Sequence, residues 1–240
     1  MGYLWDQLRL ALPLITHANP TVTQITSVTI RIALIATAAA LVAGLPIALA
    51  LGTGSFRGRR ALIVLADASL ALPPVVVGVV VLMLTIPGAP FGGLRIEFTL
   101  TDVYVAQAIL ALPYVIALST AAFQGLPGEL LDQARLLGAG RVQVAALALR
   151  EARIGVLAAM IAALGTALSE IGAVIIVGGN VEGYDQTLGS AVLQQVNDFA
   201  NYPAAVALAI VLLAIILALT GLLTILQQSR GGLGLRFRAA

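Results

Sequence analysis

The chain has no cysteine, no lysine and a single histidine, and charged residues fill only 10% of its 240 positions. Each absence removes a class of chemistry. Without cysteine there are no disulfides, thiolate metal sites or thiol nucleophiles. Without lysine there is no phosphate-loop lysine and no Schiff base, so any use of ATP requires a second chain to hydrolyse it. Aromatic residues make up 5% of the chain. The thirteen basic residues, all arginine, are scattered among apolar stretches with no aromatic platform between them, so the net charge of +2 does not point to nucleic acid. His17 stands alone beside a turn, where neither a metal site nor proton chemistry is expected. No nucleophile and base pair or metal-ligand set is present, so neither a catalytic site nor an enzyme embedded in the membrane is expected.

What remains is apolar: 60% of residues are hydrophobic and the mean hydropathy is +1.03. Soluble domains carry about 25% charge, so these values predict a multi-pass, all-α membrane protein. Five spans of bilayer length are expected at about 25–51, 61–86, 103–123, 154–177 and 204–226. Residues 1–24 read as an interfacial helix and turn, with Tyr3 and Trp5 at headgroup level, and they make a poor signal peptide because Pro13 cuts the apolar core. Residues 25–229 form the transmembrane domain and 230–240 a short cytoplasmic tail. Ten arginines fall between spans one and two (Arg57, Arg59, Arg60), between three and four (Arg135, Arg141, Arg150, Arg153) and after span five (Arg230, Arg236, Arg238). The opposite loops hold Arg95 with Glu97, Asp102, Glu182, Asp185 and Asp198, and the positive-inside rule makes the arginine-rich side cytoplasmic, with the N-terminus out and the C-terminus in.

The loop 126–153 is longer than a connection needs and reads as two helices around a glycine turn. Glu129 and Asp132 suit the first turn of a helix, Asp132 and Arg135 are three apart, and Gly138 and Gly140 end that helix before Arg141 starts the next. From spacing alone it is either a surface-lying amphipathic hairpin or a docking knob for a cytoplasmic partner. Residues 187–200 place Leu188, Val192, Val196 and Phe199 at helical spacing. They predict a short amphipathic helix near the outer surface, with Gln194, Gln195, Asn197 and Asp198 exposed.

Five segments carry a resemblance. "DQARLLGAG" (132–140) resembles the E-A-A-x-x-x-G loop of ABC importer permeases, with Asp132, Gln133, Ala134 and Gly138 on its positions, and Leu149-Arg150 where the motif has Leu-Pro. "ALPPVVVG" (71–78), "QAILALPYVIAL" (107–118), "EAR" (151–153) and above all "SEIGAVIIVGGN" (169–180) are similar to tungstate permeases, relatives of the molybdate permeases. The resemblance implies the type I, molybdate-permease-like transmembrane fold. It implies a homodimer in the prokaryotic cell (inner) membrane, with cytoplasmic ATPase subunits that bind ATP and Mg, and an extracytoplasmic oxyanion-binding protein. No cofactor is expected in this chain. The implied ATPase-coupling residues are Glu129, Asp132, Gln133, Ala134, Arg135, Gly138 and Ala139, and a bulky residue at Gly138 is expected to overfill the turn or the docking groove.

The implied function is import of tungstate by alternating access. The alternatives are a molybdate or sulfate ABC permease and, in another class, a secondary transporter using Asp67 or Glu170 as a proton relay. Pro73, Pro74, Ser169, Glu170, Gly178, Gly179 and Asn180 are candidates for the translocation path or gate. The prolines equally suit packing kinks, as does Pro113, and Gly178-Gly179-Asn180 equally suits a helix stop. Asp67 reads as a solvated or arginine-paired residue near the interface, beside Arg57, Arg59 and Arg60. Glu170 would repel a dianion, so a structural or gate-holding hydrogen bond is expected of it. Depth counting places Arg31 and Glu170 both roughly 9–10 Å below the outer boundary. They form an ion pair, or else Arg31 reaches the headgroups and Glu170 is protonated or bonds Ser169. Small residues of span four, including Gly155, Ala159 and Ala163, are expected to serve the twofold contact.

Overall fold

The computed structural model describes the backbone of residues 2–16 and 20–235 and the side chains of 5–15 and 20–228. His17, Arg236 and Arg238 lie outside the described residues. Eleven α-helices and one short 3-10 turn, with no strand among the described residues, follow in order. They are α1 Gly2–Thr16, α2 Pro20–Thr53, α3 Arg59–Ser69, α4 Pro74–Thr85, the turn Gly92–Leu94, α5 Leu100–Gln124, α6 Gly128–Leu136, α7 Arg141–Glu151, α8 Arg153–Ser169, α9 Gly172–Gly178, α10 Leu188–Asn197 and α11 Tyr202–Leu235.

Three helices are long and apolar enough to cross a membrane: α2, α5 and residues Tyr202–Gln228 of α11. The count rises to as many as five if two bent pairs, α3 with α4 (105°) and α7 with α8 (70°), are each one span. The expected second and fourth spans are not continuous. Span two breaks at 70–73, where Leu70, Ala71 and Leu72 end α3 with bonds to Asp67, Ala68 and Ser69 carbonyls. Pro73 then takes an extended conformation (φ −67°, ψ 123°) and Pro74 opens α4, where a missing N–H costs nothing. Span four breaks at Glu170-Ile171, between α8 and α9. The first span starts at Pro20 rather than residue 25, and α11 continues to Leu235, into the expected tail. Pro46 and Pro113 sit inside α2 and α5 without ending them.

Contacts divide the chain into two units. The first comprises Met1–Ala36, Pro73–Leu110 and Gly165–Leu219. Its core joins Val28 and Ile32 of α2, Val77 and Val81 of α4, Val103 and Ala106 of α5, and Val174 and Val177 of α9. Thr29 ties α2 to α10: its Oγ1 accepts from the Leu188 amide and donates to the Ile25 carbonyl, each at 2.8 Å. α10 buries Leu188 and Ala191 but leaves Val196 exposed, and Phe199 lies exposed beyond its end, so its inner face is narrower than the apolar spacing implied.

The second unit comprises Thr37–Leu72, Ala111–Leu164 and Thr220–Ala240. One cluster joins Ala48 of α2, Phe123 of α5, Leu131 of α6 and Val144 and Ala148 of α7. Another joins Ala40, Ala111, Val115 and Ala163. Ala159 and Ala163 are fully buried within the chain, and a Cβ on Gly155 would stand 2.3 Å from the Ala122 Cβ. Ala159, Ala163 and Gly155 are therefore used for packing inside the chain, which corrects their assignment to a twofold contact, while Ala158, Ala162 and Gly165 of the same helix are half-buried.

Candidate functional site

The α6–α7 hairpin takes its shape from one glycine. The Leu137, Gly138 and Ala139 amides donate to the Gln133, Arg135 and Ala134 carbonyls, which closes α6 in a left-handed C-terminal turn. Gly138 has φ +90°, and a Cβ there meets nothing within 4 Å. The expectation that bulk would overfill this turn is corrected: what opposes a side chain is backbone conformation. α7 then starts at Gly140, whose amide donates to Gln143 Oε1 at 2.8 Å.

Leu131, Val144 and Ala148 bury the inner face of the hairpin, with Ala134 and Ala139 partly covered. Glu129, Asp132 and Gln133 are exposed, and Asp132 Oδ1 pairs with Arg135 at 2.6 Å. The apex presents Leu136, Leu137 and Val142 at 87%, 88% and 82% exposure. Three apolar side chains this exposed on a rigid turn form a knob that water does not favour, which suits insertion into a partner. Nothing in the sequence singles them out, because leucine and valine stand out nowhere in so apolar a chain.

The starts of α4 and α9 meet in the first unit. α4 and α9 pack side by side, and a Cβ on Gly78 would stand 2.9 Å from the Ala173 Cα. At their starts, a Cβ on Gly172 would lie 2.8 Å from Val75 Cγ2 and 3.4 Å from Glu170 Oε1. Pro73, Pro74, Glu170 and Gly172 thus gather at one place in the fold. Glu170 Oε1 accepts from the Ala173 amide at 3.0 Å and so caps α9. Ser169 is exposed and its hydroxyl donates back to the Gly165 carbonyl at 2.9 Å. Arg31 is exposed, and the Arg31–Glu170 ion pair is not formed among the described residues, where the one ion pair is Arg135–Asp132. Depth counting along two helices gives a position along each axis and does not say whether the two side chains share a face. Asp67 is exposed on α3, which has no buried residue.

Gly178, Gly179 and Asn180 end α9. Gly179 and Asn180 have φ +88° and +58°, a left-handed helix stop. Gly178 is buried against Asp185, itself fully buried. Asp185 Oδ1 accepts from the Val181 amide, and burial raises its pKa above 3.8 against the opposing pull of the Val181, Asp185 and Asn180 amides. Asp102, also fully buried, accepts from Thr85 Oγ1 at 3.0 Å. Both acids read from sequence as loop charges, whereas the fold encloses them. No group of three or more His, Cys, Asp or Glu that could hold a metal occurs among the described residues.

The chain is similar to known proteins along most of its length. It is 36% identical over 203 residues (82% of this chain, 87% of the other) to a probable anion ABC transporter permease protein of Haloferax volcanii. It is 30% identical over 228 residues (95% and 100%) to the tungstate uptake system permease protein TupB of Peptoclostridium acidaminophilum. Its fold matches a chain of the MetNI methionine ABC transporter, solved in inward-facing conformations, with a TM-score of 0.64 at 19% identity, covering 87% of this chain and 93% of that one. Residues 44–231 match the family model for the inner membrane component of binding-protein-dependent transport systems. That match takes in the hairpin, both helix breaks and four of the five expected spans, and the chain therefore belongs to this family of multi-pass membrane permeases.

Proposed function

We propose that this chain is the permease subunit of an ATP-driven importer whose cargo is an oxyanion, tungstate first. The observation that carries the cargo is the similarity to a tungstate uptake permease over 95% of this chain and all of the relative. The 36% identity to an anion permease supports the broader class. In this reading the cytoplasmic end holds the hairpin, whose apex of Leu136, Leu137 and Val142 enters a partner ATPase that binds ATP and Mg. Glu129, Asp132, Gln133, Ala134, Arg135, Gly138 and Ala139 shape and charge that contact. An extracytoplasmic binding protein delivers the anion, and a second copy of the chain completes the path. The N-terminus is outside and the C-terminus inside.

The path runs along the starts of α4 and α9, where Pro73, Pro74, Ser169 and Glu170 interrupt the helices, towards Gly178, Gly179 and Asn180. Interrupted backbone at membrane depth is tolerated where it lines a cavity or is buried in protein. With Glu170 engaged at the Ala173 amide, its role is to hold the start of α9 rather than to bind a dianion. The test is uptake by proteoliposomes holding the permease, its ATPase and its binding protein. ATP-dependent tungstate uptake that micromolar molybdate and sulfate do not suppress supports the assignment. Uptake of molybdate or sulfate in preference moves the cargo within the oxyanions, and uptake without the ATPase overturns the reading.

A further inference from the structure

A groove of about 580 Å³ lies in the second unit between the end of α2 and the hairpin. Its walls are apolar, with Pro46, Leu49 and Ala50 from α2 and Ala139, Val144 and Ala145 from the hairpin. Two cations complete it, Arg135 and Arg141. Arg135 is held by Asp132 at 2.6 Å. Arg141 is exposed and has no hydrogen-bond or ion-pair partner among the described residues. Gly54 also lines a neighbouring recess of about 380 Å³ that contains Arg59 and Arg60. Arg59 is engaged, donating to the Leu51 and Gly52 carbonyls at 2.6 and 3.2 Å, so its charge is fixed at the end of α2. Residues 37–72 and 111–164 together carry seven arginines against four acids.

This combination selects one ligand chemistry. An apolar wall gives a free phosphate ion nothing, and an unpaired arginine gives a neutral acyl chain nothing. A molecule with an anionic head on an apolar tail satisfies both. α2 has 34 residues, a length of roughly 51 Å against a hydrocarbon core of about 30 Å, so its end reaches the headgroup layer where such molecules are the solvent. Basic pockets between membrane helices recognise lipid headgroups by this charge matching.

We propose that the groove holds an anionic phospholipid of the adjoining leaflet, its phosphate at Arg141 and its acyl chain along Leu49, Ala50 and Val144. The lipid then joins the end of α2 to the hairpin, so the headgroup composition of the membrane bears on how firmly the hairpin is held. The inference does not depend on which oxyanion is carried.

The experiment is native mass spectrometry of the purified permease in neutral detergent, titrated in turn with phosphatidylglycerol and phosphatidylcholine. Phosphatidylglycerol is expected to remain bound under conditions that strip phosphatidylcholine. Arg141→Gln weakens its retention about fivefold, the share of one arginine near a lipid surface, and Arg141→Lys restores most of it. Ala145→Phe, which fills the groove without altering charge, weakens it as well. Arg57→Gln, an exposed arginine outside the groove lining, leaves it unchanged. Equal retention of both lipids, or equal loss in Arg57→Gln and Arg141→Gln, would mean diffuse surface charge and overturn the proposal. Displacement by inorganic phosphate as effective as by lipid would reduce the site to a phosphate site and overturn it too.

Discussion

The Asp185 carboxylate closes over Gly178: a methyl group at residue 178 would stand 2.3 Å from Asp185 Oδ2 and 2.7 Å from Val103 Cγ2. The end of α9, the following loop and the start of α5 are thereby locked at one glycine. Gly178→Ala is expected to destabilise the protein by about 1–3 kcal/mol through overpacking. Thermal unfolding in detergent checks this, and an unchanged midpoint would refute the closeness of the contact.

Asp185 also makes this loop sensitive to pH. Burial raises its pKa above 3.8, so the folded protein holds the proton more tightly than the unfolded chain. The stabilisation is full below 3.8 and is lost as pH rises through the folded value. Asp185→Asn keeps an acceptor for the Val181 amide and cannot ionise. The variant should show a flatter dependence of unfolding temperature on pH, in the window above pH 3.8, than the parent. A parent that gains stability through that window from this residue would contradict the sign.

At the apex of the hairpin, Leu137 is 88% exposed. Leu137→Ser should leave stability within about 0.5 kcal/mol, as exposed substitutions do. It should weaken association with the ATPase by more than about 1 kcal/mol if the apex is an anchor. Titration of the purified ATPase against both forms measures the difference, and equal affinity would remove Leu137 from the contact.

Gly138 separates conformation from bulk. With φ +90° and open space around its Cα, Gly138→Val should cost more than about 1–2 kcal/mol of local strain, whereas Gly138→Asn should be tolerated. Uptake at equal expression is the measurement. Equal loss in both variants would point to crowding in the partner groove instead.

The membrane character, the hairpin and the helix stop at 178–180 were legible because each leaves a compositional mark: apolar runs, Gly138 between two polar segments, and Gly-Gly-Asn. The break at 70–73 was half legible, since Pro73-Pro74 announces lost backbone bonds without saying that the helix ends. The break after Ser169 carries no such mark. Ile171 and Gly172 interrupt no pattern, and the Glu170 cap is a side-chain contact that spacing cannot show. Arg31 and Glu170 failed as a pair for a related reason, because counting residues gives height along an axis while contact needs a shared face. Asp102 and Asp185 read as loop charges since nothing local distinguishes a solvated acid from one enclosed by tertiary packing.

The interruptions before α4 and α9 also have a mechanical meaning. A continuous helix resists bending because each turn is stapled to the next, and α11 is a rod of this kind, as are α2 and α5 away from Pro46 and Pro113. Of the hydrogen bonds at the breaks, none joins Leu72 and the residues before it to Pro73 and those after it. Across Glu170-Ile171 the link is the side-chain bond to Ala173. Pivoting at these two joints therefore sacrifices almost no backbone bonding, while the same angle imposed on α11 would tear its ladder open, and what holds α4 and α9 in place is their side-chain packing onto α2 and α5.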